Sequence, residues 1–220
     1  LHKLAREIGA LDVHLTLAEI AEERDYSRPE VDASARLSFT ELRHPIVESM
    51  VTSGSFVPND ITLDTEACRL MVLTGPNMSG KSTAMRQVAL AVILAQAGGY
   101  VPAAAAQIGV VDRIFTRVGA SDNLSRGDST FMVEMKETST ILREASRRSL
   151  VILDEIGRGT STFDGLAIAS AVLEHVHDVV QCRAIFATHY HELCALAETL
   201  PHADNFNVAA REHDGEVVFL

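Results

Sequence analysis

Positive charge is scarce in this sequence. Lysine and arginine number 19 against 30 aspartates and glutamates, a formal net charge of −11 over 220 residues. Gripping a nucleic-acid backbone needs clustered Lys and Arg to neutralise phosphates. The segment is therefore not by itself a general DNA-gripping surface, and any nucleic-acid contact should lie mostly elsewhere. Long apolar runs are missing too. The longest stretch, Val88 to Ala97, contains Gln96 and falls short of the ~20 residues that span a bilayer, so no membrane-spanning segment is expected. No cleavable signal is visible, and the chain opens at Leu1 without a Met, as a piece cut from something longer would. Cysteine is sparse: Cys68, Cys182 and Cys194 are an odd number with no paired metal spacing. That pattern points to reduced thiols in a cytoplasmic setting, with small buried hydrophobes as their ordinary role. No internal repeat or low-complexity tract is present.

Against these absences stands one complete motif. Gly75-Pro76-Asn77-Met78-Ser79-Gly80-Lys81-Ser82, followed by Thr83, reads Gly-x-x-x-x-Gly-Lys-Ser, a phosphate-binding loop. Triphosphate oxygens must be met by many donors at once, and backbone N–H groups converge only where side chains do not obstruct them. Gly75 and Gly80 remove that obstruction. Lys81 would reach the β- and γ-phosphates as a point charge, and Ser82 would offer its hydroxyl to Mg²⁺. The helix that begins there aims its positive end at the anion. The flanks agree: Arg69-Leu-Met-Val-Leu-Thr74 suits a buried parallel strand, and Met85, Val88, Ala89, Val92 and Ile93 recur at helical spacing until Gly98 and Gly99.

The composition, 47% hydrophobic and 22% charged, fits a soluble globular protein of one domain, or one domain with an appendage. Residues 1 to about 26 carry Leu1, Leu4, Ile8, Leu11, Leu15 and Ala18 on one side of a long helical pattern. That helix reads either as a lever from a neighbouring domain or as a first helix packed on the core. Ser27-Arg-Pro breaks it. From Ala35 the chain turns to short strand-like runs at 36–39, 43–47, 56–57 and 61–63. Beyond Leu70 strands are expected near 70–74, 149–153 and 183–187, with a hairpin about Asp214-Gly215 whose arms are 206–210 and 216–220. Helices are expected near 81–97, 131–147, 165–177 and 190–199. This alternation predicts an α/β fold with a largely parallel sheet flanked by helices on both faces.

A second acidic pair extends the chemistry. Ser149-Leu-Val-Ile-Leu-Asp154-Glu155 is a buried strand ending in two acids. Asp154 beside the phosphate loop can hold the Mg²⁺ shell, and Glu155 can accept a proton from an attacking water. Phosphate transferases use their substrate's own hydroxyl instead, so the pair speaks for hydrolysis against a small-molecule kinase. Ala187-Thr-His189 ends another predicted strand on the same carboxyl edge, where ligands bind in open α/β sheets, and His189 is placed to sense the γ-phosphate. His191 with Cys194, and His175 with His177, lack a fuller ligand set of known spacing and are not read as zinc sites.

These residues resemble a family. Thr74-Gly-Pro-Asn-Met-Ser-Gly-Lys-Ser-Thr83, Asp128-Ser-Thr-Phe-Met-Val-Glu-Met135, Asp154-Glu-Ile-Gly-Arg-Gly-Thr-Ser-Thr-Phe-Asp-Gly165 and Ala187-Thr-His-Tyr-His-Glu-Leu193 resemble the ATPase domain of the MutS mismatch-repair family. Arg43-His-Pro-Ile-Val-Glu48 and Asp112-Arg-Ile-Phe-Thr-Arg-Val-Gly-Ala120 agree with it. The resemblance implies a P-loop NTPase of ABC type over residues 35–220, with residues 1–34 as a helical lead-in. It implies ATP and Mg²⁺ as ligands and two nucleotide sites formed across a dimer of two copies. Within it, Asn77 lies beside the γ-phosphate and attacking water, and Phe56 and Val57 flank the adenine. Ser129 of the Ser125-Arg-Gly-Asp-Ser129 loop reaches the γ-phosphate held by a second copy, a role compatible with capping its own helix. The Gly157-to-Asp164 loop couples the two sites, and Asp164 reads locally as an N-cap. The implied partners are mismatched duplex DNA, read by domains not contained in this sequence, and a downstream repair factor of the MutL type. Ser79 departs from the glycine frequent at its position, with its side chain expected to point outward. A transporter-type or chromosome-organising ABC engine would carry Leu-Ser-Gly-Gly-Gln, where this chain has Leu124-Ser-Arg-Gly-Asp-Ser.

Overall fold

A strand buried on both faces must be apolar along its middle, and three segments meet that demand, with polar residues only at their ends. The computed structural model describes residues 1–51, 56–76, 79–118, 130–208, 210–213 and 216–219. In chain order its elements are α1 (His2–Glu23), β1 (Glu30–Asp32), β2 (Arg36–Leu42), α2 (Val47–Met50), β3 (Asn59–Asp64), β4 (Leu70–Thr74), α3 (Lys81–Gln96), β5 (Ala105–Gly109) and β6 (Ile114–Arg117). There follow α4 (Thr130–Glu144), β7 (Leu150–Asp154), α5 (Thr162–His175) running into a π-helical turn (Val176–Val180), β8 (Arg183–Ala187), α6 (His191–Ala197), β9 (Ala203–Asn207), β10 (Ala210–His213) and β11 (Glu216–Phe219).

The main sheet has the order β6-β7-β8-β4-β9, all parallel. Alternation divides its side chains between two cores. Met71, Leu73, Leu150, Ile152, Ile185 and Ala187 face α3 together with Leu37, Phe39 and Leu63 of a second, mixed sheet, β1-β5-β2-β3. Leu70, Val72, Val151, Leu153, Ala184 and Phe186 face the other way, onto α4, α5 and α6. Helices therefore cover both faces, with α3 held between the two sheets. Met85, Val88, Ala89 and Val92 of α3 are buried, whereas Ile93 lies off that stripe and is 52% exposed. The helix ends with Gly98 and Gly99 donating back to the carbonyls of Ala95 and Leu94, at 3.0 and 2.9 Å.

The early chain departs from the strand-like runs expected there. Arg43–Val47 forms no strand: His44 and Pro45 turn the chain into α2. Phe56-Val57 precedes β3 without joining it. Residues 30–32, inside the stretch expected to lead in as helix, pair instead with β5. The hairpin arms are 210–213 and 216–219 rather than 206–210 and 216–220, because Ala203–Asn207 is drawn into the main sheet beside β4.

The first helix forms as its periodicity demands, yet its apolar stripe stays largely exposed among the described residues. Leu4, Ile8, Leu11 and Leu15 are each more than half exposed, and Ala21 is the buried residue. The reading of α1 as a helix packed on this chain's own core is thus corrected. Its C-terminus is anchored all the same. Arg43 donates to the carbonyls of Asp25 (2.6 Å) and Arg24 (3.2 Å), pairs with Glu48 at 3.3 Å and lies over the ring of Tyr26. Among the described residues no helix is long and apolar enough to cross a membrane.

Candidate functional site

Parallel strands deliver all their carboxyl ends to one edge, and here backbone bonds stitch those ends together. Thr188 N–H donates to the Leu73 carbonyl (3.0 Å), Glu155 N–H to the Ala187 carbonyl (3.0 Å) and Val208 N–H to the Thr74 carbonyl (2.9 Å). The glycine loop after β4, the acidic pair after β7 and the His189 segment after β8 are consequently neighbours.

The loop leaves β4 through Gly75, whose φ is 146°. A Cβ there would sit 2.6 Å from the Val208 carbonyl oxygen and 2.9 Å from Ser79 Oγ, so the position admits glycine alone. Ser79 does not point outward. It is 1% exposed, its N–H donates to the Pro76 carbonyl at 3.2 Å, and its Oγ lies against Gly75 with no hydrogen-bond partner among the described residues. The buried Lys81 closes the loop, Nζ donating to the carbonyls of Gly75 (2.7 Å) and Pro76 (3.0 Å). Gly80 is the N-cap of α3, and Ser82 and Thr83 follow in its first turn, both half-buried. Asn77 and Met78 lie outside the described residues, as does Ser129.

At the foot of α3, Ser82 Oγ donates to Asp154 Oδ2 at 2.7 Å. Burial holds the Asp154 carboxyl above the usual aspartate range, with the Ser82 bond opposing. A hydroxyl and a buried carboxylate converging at the loop are hard oxygen ligands, few in number. They fit a cation such as Mg²⁺ that completes its shell from water and phosphate. The Ser79 hydroxyl, without a partner among the described residues, and the Lys81 ammonium at the loop likewise fit a phosphate ligand. Glu155 follows with φ 53°, a left-handed backbone costing about 1 kcal/mol or more for a non-glycine residue. Its carboxylate is paired with Arg158 at 2.6 Å.

His189 stands exposed on the same edge, its ring 4.2 Å from that of Tyr190. Phe56 and Val57, half-buried, lead into β3, where Asn59 Oδ1 accepts from Gln87 Nε2 of α3 at 3.0 Å. That bond ties the segment to the second turn of the phosphate-loop helix. Asp164 is not an N-cap. Ser161 caps α5, accepting from Asp164 N–H at 3.3 Å, and Asp164 stands three residues in with its carboxylate on the Ser161 hydroxyl at 2.6 Å.

Two contributors escaped the motif reading. Glu134 on α4 accepts from Gly157 N–H at 2.7 Å, and Tyr190 Oη donates to the Gly157 carbonyl at 3.2 Å. A signal for the first was in the sequence. Glu134, Thr138 and Ile141 share the buried stripe of α4, and an acid on such a stripe calls for a dedicated partner.

Comparison with known proteins agrees along the chain. The family model described as MutS domain V matches residues 71–220. The chain is 61% identical over 220 residues to the DNA mismatch repair protein MutS of Sorangium cellulosum (strain So ce56), covering 100% of this chain and 24% of that protein. It is 62% identical over 218 residues to the DNA mismatch repair protein MutS of Myxococcus xanthus (strain DK1622), covering 98% and 24% respectively. With the DNA mismatch repair protein MutS of Symbiobacterium thermophilum it shares 55% over 220 residues, 100% of this chain and 25% of that one. It thus spans about a quarter of the length of these relatives.

Proposed function

The chain belongs to the MutS family, and on that footing we propose that it is the ATP-hydrolysing domain of a DNA mismatch-repair protein. Residues 35–220 act as an ABC-type P-loop ATPase and residues 1–34 as its helical connector. The observation that carries the reading is the 2.7 Å contact of Ser82 with Asp154, which sets the first turn of the phosphate-loop helix against an acid followed directly by a second acid. Ser82 and Asp154 would hold Mg²⁺, which when bound supplies positive charge among the phosphate oxygens. Gly75, Pro76, Asn77, Met78, Ser79, Gly80 and Thr83 cradle the phosphates, and Lys81 turns its ammonium onto them. Glu155 takes a proton from water as the water oxygen bonds to the γ-phosphorus. The bond from that phosphorus to the β-bridging oxygen breaks, and its electron pair leaves with ADP. Asn77 orients the water, His189 senses the γ-phosphate, and Phe56 and Val57 flank the adenine.

Ser129 completes the site from a second copy of the chain, so hydrolysis answers to a dimer. Two such sites switch a DNA clamp in the full-length cytoplasmic protein. Mismatched duplex is read by domains outside this chain, and the outcome passes to a MutL-type factor. The test is Glu155→Gln in the full-length protein. Hydrolysis should fall ~10²- to 10⁴-fold with ATP binding retained, the range of a lost general base. Unchanged hydrolysis would remove Glu155 from that role.

A further inference from the structure

Glu134 is a buried acid with an unusual partner. It is 5% exposed on the inner stripe of α4, and charged side chains are almost never buried without a partner. None of the ion pairs among the described residues involves it. Among the described residues its carboxylate accepts instead from a backbone donor, Gly157 N–H, at 2.7 Å.

Gly157 is gripped from three sides. Tyr190 Oη donates to the Gly157 carbonyl at 3.2 Å, and Tyr190, beside His189, is the N-cap of α6. Gly157 has φ 89°, and a Cβ on it would lie 2.4 Å from the Gly165 carbonyl oxygen of α5. Two residues on, a Cβ at Gly159 would meet Phe131 Cβ of α4 at 3.4 Å. Glu155 lies two residues before Gly157, in a left-handed backbone, with its own N–H tied to the Ala187 carbonyl. The one residue between them, Ile156, is 1% exposed. So short a tether leaves little slack for a shift of Gly157 that does not reach the Glu155 backbone.

We propose that Glu134 is a positioning residue through which α4 sets the aim of the Glu155 carboxylate. The helix that follows the Ser129 segment in sequence thereby controls hydrolysis at its own copy's site. This inference rests on the assignment of Glu155 as the proton acceptor.

The test uses full-length protein and steady-state ATP hydrolysis. Glu134→Ala removes the acceptor and should lower kcat by ~10- to 100-fold while KM for ATP stays within about threefold, the scale of a small misplacement of a catalytic group. Glu134→Gln keeps an oxygen toward Gly157 N–H and should recover kcat to within about threefold of the parent. Should Glu134→Ala fail to fold, Tyr190→Phe loosens the same residue on its carbonyl side and should lower kcat several-fold at unchanged KM, with only the few degrees of Tm that an unpaired buried carbonyl costs. Parental kcat in Glu134→Ala or, if that variant does not fold, in Tyr190→Phe overturns the proposal. So does equal loss of kcat, ATP affinity and Tm in Glu134→Ala and Glu134→Gln, the mark of a merely structural acid. Glu155→Gln in the same assay separates the two claims. If it hydrolyses like the parent, the proton-acceptor assignment fails and this inference with it. If it is inactive while the Glu134 and Tyr190 variants match the parent, this inference alone fails.

Discussion

Ser82 Oγ and Asp154 Oδ2, 72 positions apart in the chain, meet at 2.7 Å where α3 starts and β7 ends. Burial disfavours the ionised form of Asp154 and holds its carboxyl above the usual range. In the fold, stability linked to this group is therefore complete while it is protonated and is lost as pH rises through its raised value. Asp154→Asn keeps the shape without the charge. Its Tm at neutral pH, measured without Mg²⁺, should equal or exceed the parent's. Mg²⁺-dependent hydrolysis should fall ~10²-fold or more, the scale of losing a metal ligand's charge stabilisation. A lower Tm with hydrolysis intact would contradict both halves.

Ser79 Oγ is buried and has no partner among the described residues. Leaving a polar group so placed costs about 1–3 kcal/mol. Ser79→Ala deletes the hydroxyl without the backbone freedom a glycine would add. It should stabilise the chain by about 1 kcal/mol, roughly 2–4 °C in Tm for a domain of this size. Thermal unfolding without nucleotide reads this directly, and a lower Tm would mean that the hydroxyl has a structural partner.

His44 Nδ1 accepts from the backbone N–H groups of Ile46 and Val47, each at 3.3 Å, which requires that nitrogen to be unprotonated. Burial first, and the charge of Arg86 second, hold the imidazole below its ordinary value. The fold binds the proton less readily than the unfolded chain does. Stability is therefore full above the unfolded value of ~6.5 and falls as pH drops below it, by at most about 1.4 kcal/mol per pH unit for one proton. His44→Asn retains an acceptor at that place and does not titrate. Its Tm should lose less than the parent's between pH 7 and pH 5, and parallel curves would show that His44 does not govern the slope.

What was legible in the sequence follows from burial. β4, β7 and β8 are apolar along their middles because both faces are covered, with the polar Thr74, Asp154 and Arg183 confined to strand ends, and their positions are readable to within a residue or so. β9, Ala-Asp-Asn-Phe-Asn, sits at the sheet's edge with four of its five residues exposed. Only backbone pairing to β4 makes it a strand, and no periodicity announces that. β5, Ala-Ala-Gln-Ile-Gly, is likewise built by its neighbours β1 and β2. At the site, residues adjacent in a motif were readable because their spacing is the chemistry. The Glu134 to Gly157 bond spans 23 positions between two motifs, and neither alone implies the other. The inward turn of Ser79 depends on the local path of the loop, which a residue pattern does not specify.

The periodicity of α1 was legible as well, but periodicity does not say what an apolar face meets. Leu11 is 59% exposed and Ile8 57%, whereas Leu37 of β2 is 0% exposed. Hydrophobic stabilisation scales with area removed from water, about 25 cal/mol per Å². Positions that remove little contribute little, so Ile8→Lys and Leu11→Lys should each change the stability of this 220-residue chain by less than about 0.5 kcal/mol. Leu37→Ala should cost about 2–5 kcal/mol, the range for truncating a fully buried leucine. Urea unfolding of the three variants decides the matter. A Lys substitution as costly as Leu37→Ala would place the stripe of α1 against this chain's own body, contrary to the exposure of its four leucine and isoleucine positions.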